Sequence, residues 1–333
     1  MKHSTIGHKV QVKTLDSILD SGEIPHAFIF TGPSGTGKKI IAREFLSALF
    51  CNENEKPCGR CTSCTQILAG TYPDFIFVSP NENGIIPVGS DDKDEGSIRH
   101  LIWRMSSKPL SGKAGIIIDG IDRASHEAQN AFLKTLEEPA EGSHVILIAS
   151  DRSQVLQTIF SRCREIRFSP LTQENLKLII SGKTDSDAVA DFIIASSGGS
   201  AETAAALYDE TKRNEILQLG KSLSKAVLSG ASFNPPAQSL AKPKTGPDPI
   251  DILISIYTFL IEEAARGSSE YSSLLDDIYI DDIDALRTII KMLIAAKRAR
   301  TNNVNAPLLV KALAYHAFDR TETAPPFARN LTD

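Results

Sequence analysis

A glycine-rich loop near the N-terminus has the composition and spacing of a phosphate-binding site. It lies between a short apolar run and a helical pattern, which is the context that such a loop requires. Glycines let backbone N–H groups turn toward phosphate oxygens, and the helix N-terminus adds partial positive charge. The predicted contacts are Gly32, Pro33, Ser34, Gly35, Thr36, Gly37 and Lys38. The alternative is a turn that only joins a strand to a helix.

Two positions depart from what an ATP-hydrolysing site needs. Lys39 stands where a Ser or Thr hydroxyl would help to hold Mg²⁺. Asp119 ends an apolar strand and is predicted to face the nucleotide, but Gly120 follows it where a glutamate would activate water. Loss of such a base typically costs about 10²–10⁴ in rate. Lys39 and Asp119 stay in the predicted nucleotide site, although ATP and Mg²⁺ binding is left open. Asp122 either replaces the glutamate or serves as a turn residue.

Four of the five cysteines lie in one short stretch. Cys51, Cys58, Cys61 and Cys64 are spaced C-x6-C-x2-C-x2-C. Short C-x2-C steps let thiolates converge on one ion, and four thiolates satisfy a tetrahedral Zn²⁺ with no open position. We predict a structural zinc site. An iron–sulfur cluster and free reduced cysteines are the alternatives.

The elements that must position these groups form an α/β arrangement. Continuous apolar runs at 27–31, 75–78, 115–119 and 145–150 predict strands buried on both faces. Helical patterns between them, including one that begins after Ser125 and ends before Pro139, predict a parallel sheet. Beyond about Pro170 the patterns are helical: three short helices at 174–180, 187–195 and 201–208 precede longer ones at about 213–228, 250–266, 281–300 and 306–318.

Composition narrows the class of protein. The net charge of −5 excludes a globally basic nucleic-acid coat, and 41% hydrophobic residues suit a globular core. No apolar stretch follows Met1, so we expect no signal peptide, and residues 252–261 are too short an apolar run to span a membrane. The expectation is a cytoplasmic protein. The lack of a basic excess also counts against a zinc-bearing DNA-binding protein.

Several further motifs give these features a family resemblance. They are Pro25-His26-Ala27, Tyr72-Pro73-Asp74-Phe75, the segment Asn130–Pro139 (NAFLKTLEEP) and Ser161-Arg162-Cys163. Together with the glycine loop and the cysteine cluster, they resemble the clamp-loader subunits of bacterial DNA polymerase III, a branch of the AAA+ ATPases. The resemblance covers the first half of the chain. The second half matches only in helical character and length.

The resemblance implies a domain organisation and a set of partners. Residues 1–168 would form a Rossmann-like AAA+ domain with a four-cysteine zinc insert, 169–212 a helical lid, and 213–333 a helical collar for oligomerisation. Ile289, Leu293 and Leu309 would contribute to the collar contacts or fill the domain's own core. The implied partners are other clamp-loader subunits (gamma/tau-type and delta-type), the sliding clamp and primer–template DNA held by the complex. No membrane partner is implied.

The resemblance also assigns a role to one arginine. Arg162 would act in trans as an arginine finger in a neighbour's ATP site, where a guanidinium stabilises charge on the γ-phosphate. The alternative is an ordinary surface arginine. Ser150 falls at the family's polar sensor position or only caps a strand, and Glu202 replaces the family's lid arginine.

The departures together favour one kind of subunit. A chain that lacks the hydroxyl, the glutamate and the lid arginine but keeps Arg162 is expected not to hydrolyse its own nucleotide and to complete its neighbour's site. The alternative is an ATP-hydrolysing motor subunit with unusual Mg²⁺ ligation.

Overall fold

The computed structural model describes residues 5–180, 187–229, 246–267 and 282–301, with isolated positions between 233 and 313. It divides into two compact units, Met1–Asn175 and Leu176–Asp333. The elements of the first unit are α1 (Lys9–Ser21), β1 (Ala27–Thr31), α2 (Lys38–Phe50), α3 (Thr62–Ala69), β2 (Phe75–Val78), α4 (Ile98–Met105), β3 (Ala114–Asp119), a 3₁₀ turn (Ile121–Arg123), α5 (His126–Glu137), β4 (Ser143–Ala149), α6 (Gln157–Phe160) and β5 (Arg164–Arg167).

A five-stranded sheet organises the first unit. Its order is β2-β3-β4-β1-β5, and every neighbouring pair is parallel. The predicted parallel α/β arrangement is confirmed, and the four predicted strands are present. The parallel direction brings the carboxyl ends of all five strands to one edge, which is where such sheets bind ligands. The sequence patterns did not predict β5, α1, α3, α4 or α6.

Alternate residues of each central strand supply two separate cores. Ile29, Ile116 and Leu147 pack on the face covered by α4 and α5. Phe28 and Ile117 pack on the opposite face with the side chains of α1 and α2. Burial on both faces explains why the strands are continuous apolar runs rather than alternating ones. The rigid sheet that results fixes the positions of the loops at its edge.

Helix starts follow from capping residues. The Ser125 hydroxyl accepts a hydrogen bond from the backbone N–H of Ala128, as the predicted N-cap of α5 requires. Ser97 caps α4 in the same way through the N–H of His100. The N-cap of α2 is instead Gly37, whose φ of 94° suits glycine. Among the described residues no side chain caps α2, and the glycine-rich loop leads directly into its first turn.

The second unit is helical in the part that the structure describes. Its helices are α7 (Gln173–Ile180, which begins in the first unit), α8 (Asp187–Ser196), α9 (Ala201–Tyr208), α10 (Glu210–Ser229), α11 (Pro249–Arg266) and α12 (Ile283–Thr301). Tyr257 of α11 is buried, and its hydroxyl donates to the carbonyl oxygen of Gly220 over 2.8 Å. Ile289, Leu293 and Leu309 are also buried, so they fill the unit's own core, the alternative considered from the sequence.

Two features of the second unit bear on the sequence predictions. Glu202 lies in the first turn of α9, two residues after the N-cap Ser200. Most of the predicted helix at 306–318 lies outside the described residues. The division into lid and collar stays a prediction. Among the helices that are described, none combines the length and apolar character that crossing a bilayer needs.

Candidate nucleotide pocket and cysteine cluster

The glycine-rich loop lies at the carboxyl end of β1 and leads directly into α2, as predicted. Gly32 has a φ of 142°, and a Cβ there would lie 2.2 Å from the carbonyl oxygen of Phe168, so only glycine fits. The Lys38 ammonium is folded inside the loop and donates to the carbonyl oxygens of Gly32 and Pro33, each over 2.6 Å. The arrangement fits a phosphate, since the cradle is made of backbone and one lysine at a helix N-terminus.

Lys39 and Asp119 are brought together beside this loop. The Lys39 ammonium nitrogen lies 3.1 Å from Asp119 Oδ2 and 4.7 Å from the centroid of the Phe77 ring. The side chains are 47% and 28% exposed, so the pair is partly accessible to solvent. Mg²⁺ does not fit these residues. Lys39 offers no oxygen ligand, and its ammonium is already paired with the Asp119 carboxylate that would bind the cation.

A segment near the N-terminus contacts the same loop. His8 Nε2 donates to the carbonyl oxygen of Thr36 over 2.7 Å, and the His8 ring packs edge-on against Phe168. Burial lowers the pKa of His8 below its usual value, with the nearby Lys38 acting in the same direction. The hydrogen bond from His8 to Thr36 ties the N-terminal segment to the loop.

Asp122 supports the end of β4 and does not replace the missing glutamate as a base. Its Oδ2 accepts hydrogen bonds from the backbone N–H groups of Ser150 and Asp151, at 3.2 and 3.0 Å. Oδ1 is buried and has no hydrogen-bond partner among the described residues. Burial raises the pKa of this carboxyl. The turn interpretation of Asp122 is therefore the one that fits, and Ser150 is positioned through its backbone.

A charged network borders a cavity of about 450 Å³ at the carboxyl ends of β1, β4 and β5. Glu165 accepts from Arg152 Nε over 3.3 Å, from an Arg167 nitrogen over 3.0 Å and from the Thr31 hydroxyl over 2.9 Å. Hydrogen bonds from Arg167 and Thr31 outweigh the partial burial of Glu165 and lower its pKa. Ser150 lines the same cavity. This edge of the pocket is thus held by ionised groups.

Arg162 lies between α6 and β5. Its guanidinium forms an ion pair with Glu137 at the end of α5 and donates to the carbonyl oxygen of Thr158 over 2.9 Å and to the Ser161 hydroxyl over 3.1 Å. The side chain is 31% exposed. These contacts go to α5 and α6 and not to the glycine-rich loop, so Arg162 is not part of this chain's own phosphate cradle.

The four clustered cysteines converge on one point. All four sulfurs lie within 4.8 Å of one another, with Cys58–Cys64 and Cys51–Cys61 separations of 4.0 and 3.9 Å. A tetrahedral ion bound at about 2.3 Å from each sulfur needs separations of about 3.8 Å. The residues therefore fit a single metal ion. Cys51 and Cys64 are buried, and Cys58 and Cys61 are half-buried.

The cluster also contains groups that favour different protonation states. Hydrogen bonds from the backbone N–H groups of Arg60 and Cys61 lower the pKa of Cys58 to about 6. Burial raises the pKa of Cys64 to about 12. A bound cation would have to displace the proton from Cys64, since thiolates are the ligands. Cys163 stands apart from the cluster, and burial raises its pKa to about 12.

Comparison with known proteins places this site in a family. Residues 7–172 match the family model described as "DNA polymerase III, delta subunit". Those residues belong to the DNA polymerase III clamp-loader family. The chain is 29% identical over 219 residues to DNA polymerase III subunit delta' of Pseudomonas aeruginosa. It is 33% identical over 172 residues to subunit tau of Bacillus subtilis.

The coverage of these relatives is incomplete. The match takes in 64% of this chain and 65% of the delta' subunit, and 51% of this chain and 29% of the tau subunit. Among solved structures, a gamma subunit-related protein of Thermotoga maritima gives a TM-score of 0.44 at 18% identity, over 92% of this chain and 98% of that one. The described elements confirm the predicted architecture of a parallel α/β sheet domain with a helical part.

Several site residues were not predicted from the sequence. His8 contacts the glycine-rich loop. Glu137 contacts Arg162, and Glu165 contacts the arginines at the pocket edge. No motif specifies these contacts, and most of them join residues that are distant in the sequence, although Arg167 is only two residues from Glu165. For Glu137 a signal existed, since it lies in the segment that carries the family resemblance.

Proposed function

We propose that this chain is a delta'-type subunit of a DNA polymerase III clamp loader. In this role it does not hydrolyse its own nucleotide and supplies Arg162 to the ATP site of a neighbouring subunit. The similarity to both delta' and tau subunits supports membership of such a complex. The residues that differ from a hydrolytic site support the choice between these two kinds of subunit.

One observation carries the proposal: the Lys39 ammonium lies 3.1 Å from the Asp119 carboxylate. In a hydrolysing P-loop site this region holds Mg²⁺, which bridges the β- and γ-phosphates and neutralises developing charge. A lysine cannot coordinate the terminal phosphates in that way. Gly120 in place of the glutamate removes the group that would activate water. Phosphate binding and hydrolysis are therefore separable in this pocket.

The surroundings of Arg162 support its role in trans. The Glu137 carboxylate and the Thr158 carbonyl oxygen hold the guanidinium in one place without burying it completely. A held, partly exposed guanidinium loses little conformational entropy when it meets a phosphate. Arg162 makes its contacts away from this chain's own glycine-rich loop. The γ-phosphate that it would contact therefore belongs to a nucleotide bound by a neighbouring subunit.

The experiment replaces Arg162 in the assembled loader. We expect Arg162→Ala to assemble normally and to slow the ATP site that it completes by about 10³–10⁵, the usual contribution of an arginine finger. The complex's ATPase then falls by that site's share. Arg164→Ala, an exposed arginine two residues away on β5, is the matched control and should change nothing. Unchanged ATPase in the Arg162→Ala complex would reject the proposed role.

The second candidate function is an ATP-hydrolysing gamma-type motor. The favourable observations are the intact glycine loop with Lys38 folded into it and the similarity to tau over 51% of the chain. In that case Lys39 would have to move away from Asp119 for Mg²⁺ to bind. ATPase activity of the chain alone distinguishes the two candidates.

Further parts of the proposal concern organisation and partners. We assign residues 1–168 to the AAA+ domain, 169–212 to a lid and 213–333 to a collar that holds the subunits together. The partners are gamma/tau-type and delta-type subunits, and through the complex the sliding clamp and primer–template DNA. Backbone phosphates would supply the DNA contacts, so no sequence preference is expected.

We also assign Zn²⁺ to the cysteine cluster. Four sulfurs within 4.8 Å leave space for one ion rather than for a cluster of several irons and bridging sulfides. Four thiolates complete the coordination, so the ion has no open position for chemistry. Its role is to hold the segment between α2 and α3 in place.

A further inference from the structure

We propose that the nucleotide pocket of this chain binds ATP or ADP without a divalent cation, with the Lys39 ammonium standing in place of Mg²⁺. The inference deepens the proposed function, because it says in which form the non-hydrolysing pocket takes its ligand. It concerns this chain's own pocket and makes no use of Arg162.

The position of Lys39 is fixed by two independent contacts. Its nitrogen meets Asp119 at the end of β3 over 3.1 Å and lies 4.7 Å from the Phe77 ring centroid on β2. A cation over an aromatic face is attracted by the ring's negative charge density, and the carboxylate adds a directed ion pair. Lys39 itself directly follows Lys38 in the first turn of α2. One positive charge is thereby placed between the phosphate loop and the acidic end of β3.

Electrostatics explains why a polyphosphate can approach without a metal. In a magnesium site the cation separates the aspartate from the phosphates, and without it the two would repel each other. Here the Asp119 charge is neutralised by Lys39, while Lys38 supplies a further positive charge inside the loop. Mg²⁺ that enters with the nucleotide would meet an ammonium where it needs oxygen ligands. Added Mg²⁺ should therefore not help binding, and by binding free ATP it competes with the pocket.

Fold stability alone does not account for this arrangement. With side chains 47% and 28% exposed, the pair is of the kind that contributes little to stability. Its effect falls instead on a ligand, because the charges border the cradle built by Lys38, Gly32 and Pro33. That location, rather than the strength of the pair, carries the inference.

The test measures binding of a fluorescent ATP analogue to the purified full-length chain. Titrations are run in buffer with millimolar Mg²⁺ and in buffer from which Mg²⁺ is withheld. No chelator is used, because it would compete for metal at the cysteine cluster. For the unaltered chain we expect the affinity without Mg²⁺ to be equal to or higher than that with Mg²⁺, by up to about threefold.

Two variants at one position separate charge from metal ligation. Lys39→Thr restores a hydroxyl and releases Asp119, so its affinity should rise at least about tenfold when Mg²⁺ is added. Lys39→Met keeps a side chain of similar length and removes its charge. In buffer without Mg²⁺ it should therefore bind at least about tenfold more weakly than the unaltered chain. Thermal unfolding of all three proteins confirms that each is folded.

Three outcomes would overturn the inference: binding by the unaltered chain that needs Mg²⁺, no binding in either buffer, or Lys39→Met binding as tightly as the unaltered chain. The proposed role of Arg162 is tested separately, by ATPase of the assembled complex. If binding needs Mg²⁺ but Arg162→Ala slows the complex's ATPase, the inference fails and the proposed role of Arg162 stands. If binding is independent of Mg²⁺ but Arg162→Ala has no effect, the proposed role fails and the inference stands.

Discussion

The cysteine cluster and the nucleotide pocket lie in the same unit but differ in how complete they are. The cluster has all four ligands of a closed metal site, with their sulfurs within 4.8 Å of one another. The pocket keeps its backbone cradle but has Lys39 and Gly120 where a hydrolytic site has oxygen-bearing side chains. A cradle built from glycine backbone and a helix N-terminus can therefore persist after the side chains that make it hydrolytic have been replaced.

The difference also concerns what each site does for the protein. A closed four-thiolate metal contributes directly to folding, because the ligands converge only in the folded state. The Lys39–Asp119 pair is substantially exposed and acts mainly on what binds beside it. On the proposed assignments, the first site would support the structure and the second would serve a ligand.

The largest effect that sharpens this contrast is expected from Cys64→Ser. Cys64 is fully buried, and its loss leaves three ligands for the metal. We expect metal content to fall from about one ion per chain toward zero, and the free energy of unfolding to fall by roughly 3 kcal/mol. Elemental analysis and denaturant unfolding measure the two quantities.

Cys163→Ala is the matched control, because this cysteine is partly buried yet lies outside the cluster. It should keep its metal. Full metal content in Cys64→Ser, or iron in the unaltered chain, would contradict the structural-zinc assignment.

A smaller effect is expected at the pocket's scaffold. The Asp122 carboxylate accepts two backbone N–H groups, and burial raises its pKa. Between the ordinary carboxyl pKa of about 4 and this raised value, the folded chain binds more protons than the unfolded one, so stability decreases as pH rises. Asp122→Asn keeps one oxygen acceptor but cannot titrate. We expect the unaltered chain to lose stability relative to this variant as pH rises through that window.

The comparison uses chemical denaturation of both proteins over a range of pH. Asp122→Ala, which removes both acceptors, should be less stable than Asp122→Asn by roughly 2 kcal/mol at all pH values, because neither variant titrates at this position. The free energy of unfolding of the unaltered chain is compared with that of Asp122→Asn at each pH. If the unaltered chain keeps or gains stability relative to the variant as pH rises, Asp122 is not the desolvated group described above.

Much of the fold follows from the sequence because apolar runs report burial. Strands β1 to β4 were predicted, whereas β5 was not. Its residues Arg164–Arg167 include one buried apolar side chain, Ile166, so β5 lacks the continuous apolar run that identified the other strands. Helix α1 was missed although it buries Val12, Leu15 and Ile18. Only these three of its residues are buried, so its apolar stripe is narrow.

The candidate site was predictable in its parts but not in its contacts. Residue types and spacing identified the glycine loop, Lys39, Asp119 and the cysteines. The ion pair between Lys39 and Asp119 depends on how α2 lies against the end of β3, which the sequence alone does not specify. The His8 contact with Thr36 likewise joins residues 28 positions apart. Long-range pairs of this kind need the three-dimensional structure.

The most direct test of the central claim is steady-state ATP hydrolysis by the purified chain alone, with Mg²⁺ present and with Lys38→Ala as the control for contaminating activity. Because Lys39 blocks the cation position and Gly120 provides no base, we predict the same background rate for both proteins. Turnover well above background that Lys38→Ala abolishes would contradict the account and identify the chain as a motor subunit.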